Sequence, residues 1–351
     1  MAVMTNTSPV KAIGLISGGL DSALAAGLLM ELGVQVKGLY FSTGFCKVDH
    51  RRAINDPREA VERLRNPGLR TGALLGFPVE VVDVAEAYLE VVRHPRHGYG
   101  ANVNPCIDCR IFMLYKAREV MEQEGADLVF TGEVLGQRPM SQYKKALRLV
   151  EKDAGLSGRL LRPLSAHFLE PTLPECDGRL DRKRLLSIQG RSRLPQMALA
   201  RKLGIDEYAQ PSGGCCYLAD PNYARRFRDL VAHAGDHPIT GEDTTLLKVG
   251  RHFRLDPQLK LVTGRNEGEN YFLERYTAGR WTIHPSDRAG TFALGLGEPD
   301  QDQLLLMAAI VARYSQHRDA AAVAVAVARE SHRQVLSVAP ASQETLQRLM
   351  L

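Results

Sequence analysis

Apolar positions in the first part of the chain alternate between two rhythms. Residues 11–16 form a short apolar run, Ser17-Gly18-Gly19 interrupts it, and residues 20–32 carry apolar side chains at helical spacing as far as Gly33, a residue that ends helices. A strand, a loop and a helix are predicted in that order. Residues 34–41, 79–84 and 127–131 repeat the strand signal with helical stretches between them. Such alternation calls for parallel strands joined by crossover helices, so the first domain is predicted to be α/β, a doubly wound parallel sheet covered on both faces.

Beyond residue 160 the rhythm breaks into a polar, proline-containing stretch through Gly178, then a basic, helix-like segment over 181–203. The first domain is expected to span 1–234. From residue 246 onward LLKVGRHFRL, KLVTGR and YFLERY read as short strands divided by Gly, Pro and Asn turns, with a helix near 302–314. AAAVAVAVARE over 320–330 alternates with period two yet is rich in alanine, so strand and helix compete and strand is favoured. A second, smaller α+β domain over 240–351 is therefore predicted. No internal repeat or low-complexity tail interrupts the plan.

Bulk composition narrows the class only slightly. The 351 residues are 44% hydrophobic and 24% charged, which describes a folded globular protein rather than a disordered or fibrous one. A net charge of +5 is too mild to identify a nucleic-acid partner. No apolar run approaches the roughly 20 residues that span a bilayer, so no membrane partner and a cytoplasmic location are expected. Six cysteines are too few for a secreted disulfide scaffold in a chain of this length, and their spacing becomes the informative quantity.

Where the first strand ends and the first helix begins stands Ser17-Gly18-Gly19-Leu20-Asp21-Ser22. Backbone N–H groups and the helix dipole converge at such a junction and suit a phosphate, and the glycines permit close approach. The alternative is a Gly-Ser turn that only caps an amphipathic helix, with Asp21 complementing its dipole. The motif lacks the lysine that ends a Walker A loop, so pyrophosphate release fits better than phosphoryl transfer. Tyr40, Phe41 and Ser42 close the next strand on the same edge of the sheet, and their backbone is the expected neighbour of the adenine.

Cys106-Ile107-Asp108-Cys109 opens a helical segment after Asn104-Pro105, and Cys215-Cys216 follows Gly213-Gly214. The pair Cys106 and Cys109 alone is open to three readings: a redox couple, half a zinc site, or part of a cluster ligand set. Zinc would draw on Cys106, Cys109, Cys215 and Cys216, although adjacent cysteines rarely both reach one tetrahedral metal. Three cysteines on a 4Fe-4S cluster would leave one iron open to carry hydrosulfide. A persulfide on one of these cysteines, released as a pair becomes a disulfide, is the rival, with Cys109 and Cys216 as the reacting thiols. Cys46 and Cys176 stand alone and are left outside the site.

SGGLDS after a strand resembles the signature of the PP-loop ATP pyrophosphatase superfamily. That resemblance implies ATP with Mg2+, Asp21 as the magnesium contact, and Ser17, Gly18, Gly19 and Ser22 around the phosphates. Thr131-Gly132-Glu133-Val134-Leu135-Gly136-Gln137 with Ser141-Gln142, Leu161-Arg162-Pro163-Leu164, and AxKLGI at 200–205 occur in the order found in tRNA 4-thiouridine synthases, and the chain resembles that family and the related tRNA 2-thiouridylases over roughly residues 10–220. The resemblance implies adenylation of a uridine carbonyl oxygen, then displacement of AMP by sulfur from a donor protein or from inorganic sulfide. It also implies Cys106, Cys109 and Cys215 as ligands of a 4Fe-4S cluster, with Cys216 able to replace Cys215. Thr131 and Gly132 close a strand at the carboxyl edge, which sets Gln137, Ser141 and Gln142 near the nucleotide or base.

The chain departs from that family in having only sixteen residues before SGGLDS, too few for an N-terminal RNA-binding region, and no recognisable C-terminal sulfurtransferase domain. Residues 248–253 and 264–270 are similar to a small RNA-binding domain found beside such enzymes and in ribosome-quality-control factors. Arg182-Lys183-Arg184 with Arg191 and Arg193, Lys144-Lys145 with Arg148, and Arg225-Arg226 with Arg228 supply cationic clusters for tRNA. A homodimer is a further expectation. The competing functional classes are a PP-loop enzyme acting on a small molecule and an RNA-binding protein without catalysis. For thiolation, the nucleotide loop and the thiols must meet around one base.

Overall fold

Strand β1 (Lys11–Leu15) lies at the centre of a five-stranded parallel sheet, with β2 (Gln35–Ser42) on one side and β4 (Leu128–Thr131) on the other. β3 (Val79–Asp83) and β5 (Leu160–Leu161) complete the order β3-β2-β1-β4-β5. This computed structural model describes residues 8–47, 66–138, 141–206, 208 and 216–351. Its contacts group into two units, the first of which holds this sheet and ends at Cys215.

The alternation of β1 explains the two helical layers. Ala12 and Ile16 face α1 (Leu20–Glu31), packing with Leu20, Ala23 and Leu24. Ile13 and Leu15 face the opposite layer, against Leu114, Ala117 and Met121 of α4 (Cys106–Gln123) and Val150 of α5 (Lys144–Asp153). Gly14 is small because the Phe130 ring occupies the place of its side chain: a Cβ there would lie 2.3 Å from that ring. The expected doubly wound α/β architecture is the one observed. Helices α2 (Pro67–Leu75), α3 (Ala85–Arg93) and α6 (Leu194–Lys202) fill out the layers. Only α6 is α-helical within the basic segment 181–203; Arg182–Arg184 is a single 3-10 turn, and Pro195 falls in the first turn of α6, where a missing N–H costs nothing.

The second unit carries a six-stranded antiparallel sheet in the order β11-β10-β8-β9-β7-β6. Its strands are β6 (Arg251–Asp256), β7 (Leu259–Thr263), β8 (Trp281–Pro285), β9 (Ala293–Leu296), β10 (Val323–Arg329) and β11 (His332–Val338). In β10 the valines 323, 325 and 327 are buried while Ala324 is exposed, so the period-two reading holds. Helices α7 (Pro221–His233), α8 (Gly241–Leu246), α9 (Glu267–Leu273), α10 (Gln301–Arg313) and α11 (Gln343–Leu349) accompany the sheet. The apolar side of α10, including Met307 and Val311, packs with Ile283, Val325 and Val327. Residues 216–234 group with this second unit, whereas the sequence reading carries the first domain to 234.

One strand expectation is corrected. YFLERY is not a strand but the end of α9 followed by a 3-10 turn at Glu274–Tyr276. Asn266 accepts the Glu269 N–H through its side chain, an N-cap that starts a helix just before the apolar residues.

Behind β6 and β7 lies a buried charge group. Asp229 of α7 accepts from Arg254 at 2.6 Å and from Lys260 at 3.3 Å. Burial pushes the Lys260 ammonium down to about 8, against the pull of Asp229. The unfolded chain keeps its lysine proton up to the ordinary value of 10.5, so between about 8 and 10.5 it binds more protons than the folded chain. Stability from this group therefore rises with pH across that window, by up to about 3 kcal/mol. Urea midpoints at pH 7.5 and pH 9.5 are expected to show this rise in the wild type and a flatter response in Lys260→Met. Equal slopes in both proteins would contradict it.

Candidate functional site

The loop between β1 and α1 is held by its own hydroxyls. Gly19 N–H donates to Ser17 Oγ at 3.3 Å, Ser22 Oγ donates to the Gly19 carbonyl at 2.9 Å, and the two serine hydroxyls lie 3.2 Å apart. Gly18 adopts φ +75°, and a Cβ there would collide with Pro67 of α2, so the loop depends on glycine at that point.

Asp21, in the first turn of α1, receives the Gln137 amide N–H on Oδ2 at 3.0 Å. Its Oδ1 is buried and lacks a hydrogen-bond partner among the described residues. Burial pushes this carboxyl above its ordinary value, opposed by the Gln137 bond and by the charges of Arg193 and Arg138. A buried oxygen of this kind is costly unless something cationic meets it. Mg2+ fits: Asp21 would hold it, and the metal would neutralise charge on a triphosphate.

Thr131 and Gly132 bring β4 to the same place. A Cβ on Gly132 would come within 2.4 Å of the Asp21 backbone, so the loop after β4 lies directly against the start of α1. The Thr131 hydroxyl donates to Glu133 at 3.2 Å. Glu133 is buried with Arg162, which donates to it at 3.1 Å and also reaches Glu151 and the Leu147 carbonyl. Arg110 lies 3.5 Å from the other Glu133 oxygen. Burial would raise the Glu133 carboxyl, but Arg110 and Arg162 outweigh it and hold it below its ordinary value.

That ion pair also locates the first cysteine pair. Cys106 and Cys109 occupy the first turn of α4, next to Arg110, so they stand at the carboxyl edge of the sheet where Glu133 and Asp21 lie. Asp108 between them accepts from the His97 N–H and faces His97 Nδ1, both at 2.9 Å, while His97 Nε2 lies 3.4 Å from Asp153. Cys215 lies outside the described residues, and Cys216 belongs to the second unit. Among the described residues no three His, Cys, Asp or Glu side chains are grouped to hold a metal ion. The described donors thus do not make up a 4Fe-4S site.

Of the other nucleotide candidates, Tyr40 is buried with its ring against Gly68 of α2, and Phe41 and Ser42 are half-buried at the strand end. Two cationic clusters contain arginines that serve the fold. Arg182 is spent on Glu175 and on the Ala166 and Leu169 carbonyls, and Arg226 on the Leu247 and Gly250 carbonyls. Lys144, Lys145, Arg191, Arg225 and Arg228 remain exposed. Sequence reasoning missed Arg138 and the Glu133–Arg162–Arg110 group, assigned Arg193 only to RNA, and set Cys46 aside although it pairs across backbone with Cys216.

Residues 7–167 match the family described as thiamine biosynthesis protein (ThiI), and residues 250–350 match the NFACT protein RNA binding domain. The chain is thus similar to a ThiI-type domain over its first half and to an NFACT RNA-binding domain near its C-terminal end. It is 26% identical to the tRNA-specific 2-thiouridylase MnmA of Desulforamulus reducens over 68% of this chain and 62% of that protein. With the probable tRNA sulfurtransferase of Natranaerobius thermophilus it shares 29% identity over 44% of this chain and 35% of that one. It thus spans less than two thirds of the length of either relative. A solved 4-thiouridine synthetase–RNA complex with bound ATP aligns at 20% identity over 56% of this chain and 52% of that chain, with a TM-score of 0.32, too low to bear on function. The ThiI-type match contains the SGGLDS loop, Cys106, Cys109 and the Glu133–Arg162 pair. In the NFACT domain, Glu269 accepts from the Gly250 and Arg265 backbone N–H groups and from the Arg265 guanidinium, so one carboxylate ties together the two segments that suggested an RNA-binding module. Among the described residues no helix is long and apolar enough to cross a membrane.

Proposed function

We propose that the chain is an ATP-dependent tRNA sulfurtransferase. The observation that carries this reading is the buried, unpartnered Asp21 oxygen at the mouth of a phosphate-suited loop, within a ThiI-type domain. A uridine carbonyl oxygen attacks the α-phosphate of ATP and pyrophosphate leaves; a sulfur nucleophile then adds to the activated carbon and AMP departs. Asp21 would hold Mg2+, which would supply positive charge to the phosphates; the N–H groups at the start of α1 and the helix dipole receive anionic oxygens, and Arg193 and Arg138 add positive charge to the leaving pyrophosphate. Cys109 in the first unit and Cys216 in the second each offer a thiol for handling sulfur within their own unit, the sulfur coming from a donor protein or inorganic sulfide.

The RNA-binding domain at 250–350 and the two tRNA-modifying relatives support tRNA over a small molecule as substrate. The test is direct. The purified chain is incubated with ATP, Mg2+, sulfide and unmodified tRNA, and pyrophosphate and thiolated nucleosides are measured by mass spectrometry. Pyrophosphate release that depends on tRNA, with a matching thiolated uridine, is expected. ATP cleavage indifferent to tRNA, with no thiolated nucleoside, would overturn the proposal.

A further inference from the structure

Cys46 and Cys216 stand directly opposite one another in an antiparallel backbone pairing inside the second unit. The Tyr217 N–H donates to the Phe45 carbonyl at 2.9 Å, so the hydrogen bond flanks the two cysteines instead of joining them. In antiparallel pairing this is the non-hydrogen-bonded position, where opposite Cα atoms lie about 4.5 Å apart and both side chains leave the same face. A disulfide requires Cα atoms about 4.4–6.8 Å apart. The Cα spacing of such a pair falls within the range that a disulfide spans.

The surroundings suit reactive thiols. Both cysteines are half-buried, which keeps them reachable by a small reagent while limiting bulk water. Lys47, next to Cys46, lies 3.8 Å from Asp220 and holds its ammonium 5.8 Å from the centre of the Tyr217 ring, beside Cys216.

We propose that Cys46 and Cys216 form a dithiol couple that reduces a sulfane sulfur and releases it as hydrosulfide. The Cys216 thiolate first attacks the outer sulfur of a persulfide or polysulfide donor, the donor's S–S bond breaks and its remaining sulfur leaves as a thiolate or shortened polysulfide, giving Cys216–S–SH. The Cys46 thiolate then attacks Cys216 Sγ, the bond to the outer sulfur breaks, and that sulfur leaves as HS⁻ with the electron pair. The two cysteines lose two electrons and become a Cys46–Cys216 disulfide, while the sulfane sulfur gains them. An external thiol reductant restores the dithiol. Cys46 is thereby the resolving thiol for Cys216. The use of the released sulfur rests on the sulfurtransferase reading; the couple itself rests on the backbone pairing.

The experiment treats the reduced full-length chain anaerobically with inorganic polysulfide, blocks remaining thiols by alkylation, and maps the peptides without reduction. Wild type is expected to yield a Cys46–Cys216 cross-linked peptide. Cys46→Ser is expected to retain a persulfide on Cys216 with no cross-link, and the double variant Cys106→Ser, Cys109→Ser to give the cross-link undiminished. In parallel single-turnover tRNA assays with polysulfide as the sole sulfur source and no added reductant, Cys46→Ser is expected to lose at least tenfold in thiolated product with an unchanged urea midpoint. Absence of the cross-link in wild type, a cross-link from Cys216 to another cysteine, or equal persistence of the Cys216 persulfide in wild type and Cys46→Ser would overturn the couple. A wild-type cross-link with no thiolated tRNA would overturn the sulfurtransferase reading and leave the couple standing.

Discussion

Replacing Asp21 with asparagine is expected to abolish tRNA-dependent pyrophosphate release while leaving the protein at least as stable as before. The two effects have one cause. Burial raises the carboxyl of Asp21, so the charged form is penalised in the fold; that penalty is absent at acid pH and sets in as pH rises through the raised value. Asparagine keeps the shape and the contact with Gln137 while removing the penalty, and the denaturation midpoint at neutral pH should stay level or climb. The same change removes the carboxylate proposed to hold magnesium. A metal supplies several kcal/mol of charge stabilisation in a transition state, so the loss in kcat should be on the order of a thousandfold. Urea denaturation and a pyrophosphate assay on the same preparation check both halves. A variant that unfolds would show that Asp21 is structural, and one that retains turnover would show that it holds no metal.

Arg162→Ala is expected to be the most destabilising single change in the first unit. Among the described residues it would leave Glu133, at 4% exposure, with the Thr131 hydroxyl and the more distant Arg110 cation. Removing one partner of a buried pair costs about 3–5 kcal/mol because the remaining charge stays desolvated. Chemical denaturation measures the loss, and Glu133→Gln added to Arg162→Ala should recover part of it, since a neutral amide needs no counter-charge. The depressed Glu133 carboxyl gives the sign with pH. Its contribution is present above the ordinary carboxylate range and disappears as pH falls through the folded value. Arg162→Ala should therefore differ least from wild type in acid. A loss that persists unchanged at low pH, with no recovery in the double variant, would assign the effect to packing alone.

The first unit was legible because four of its five strands announce themselves locally, while the two-residue β5 is too short to leave a pattern. β1, β2, β3 and β4 each lie within a residue or so of their apolar runs, and SGGLDS marks the first turn by residue type alone. What surrounds Asp21 was less visible, since Gln137, Arg138 and Arg193 reach it from two loops and no local pattern links a loop residue to a helix more than a hundred positions away. Arg162 read as part of a motif, yet its partner Glu133 was hidden among polar neighbours: burial, which makes the pair matter, is a property of the folded chain. YFLERY misled because aromatic and aliphatic side chains favour strands, whereas the cap at Asn266 had already committed the segment to a helix. Cys46 was passed over for a similar reason. A lone cysteine gives no sign of its companion, and backbone pairing with Cys216 is long-range.

The central position of β1 also governs the order in which the chain can be built. Its outer neighbour β2 follows almost at once, but β4 pairs with its other side, and the Lys11 N–H meets Asp127 across 116 positions. During synthesis the ribosome must therefore deliver most of the first unit before that flank of β1 is covered. Until then a bare strand edge waits beside the nascent ATP loop, the kind of edge that invites association with other chains. Nucleotide affinity should accordingly emerge late in translation, when Gly132 comes to rest on the start of α1.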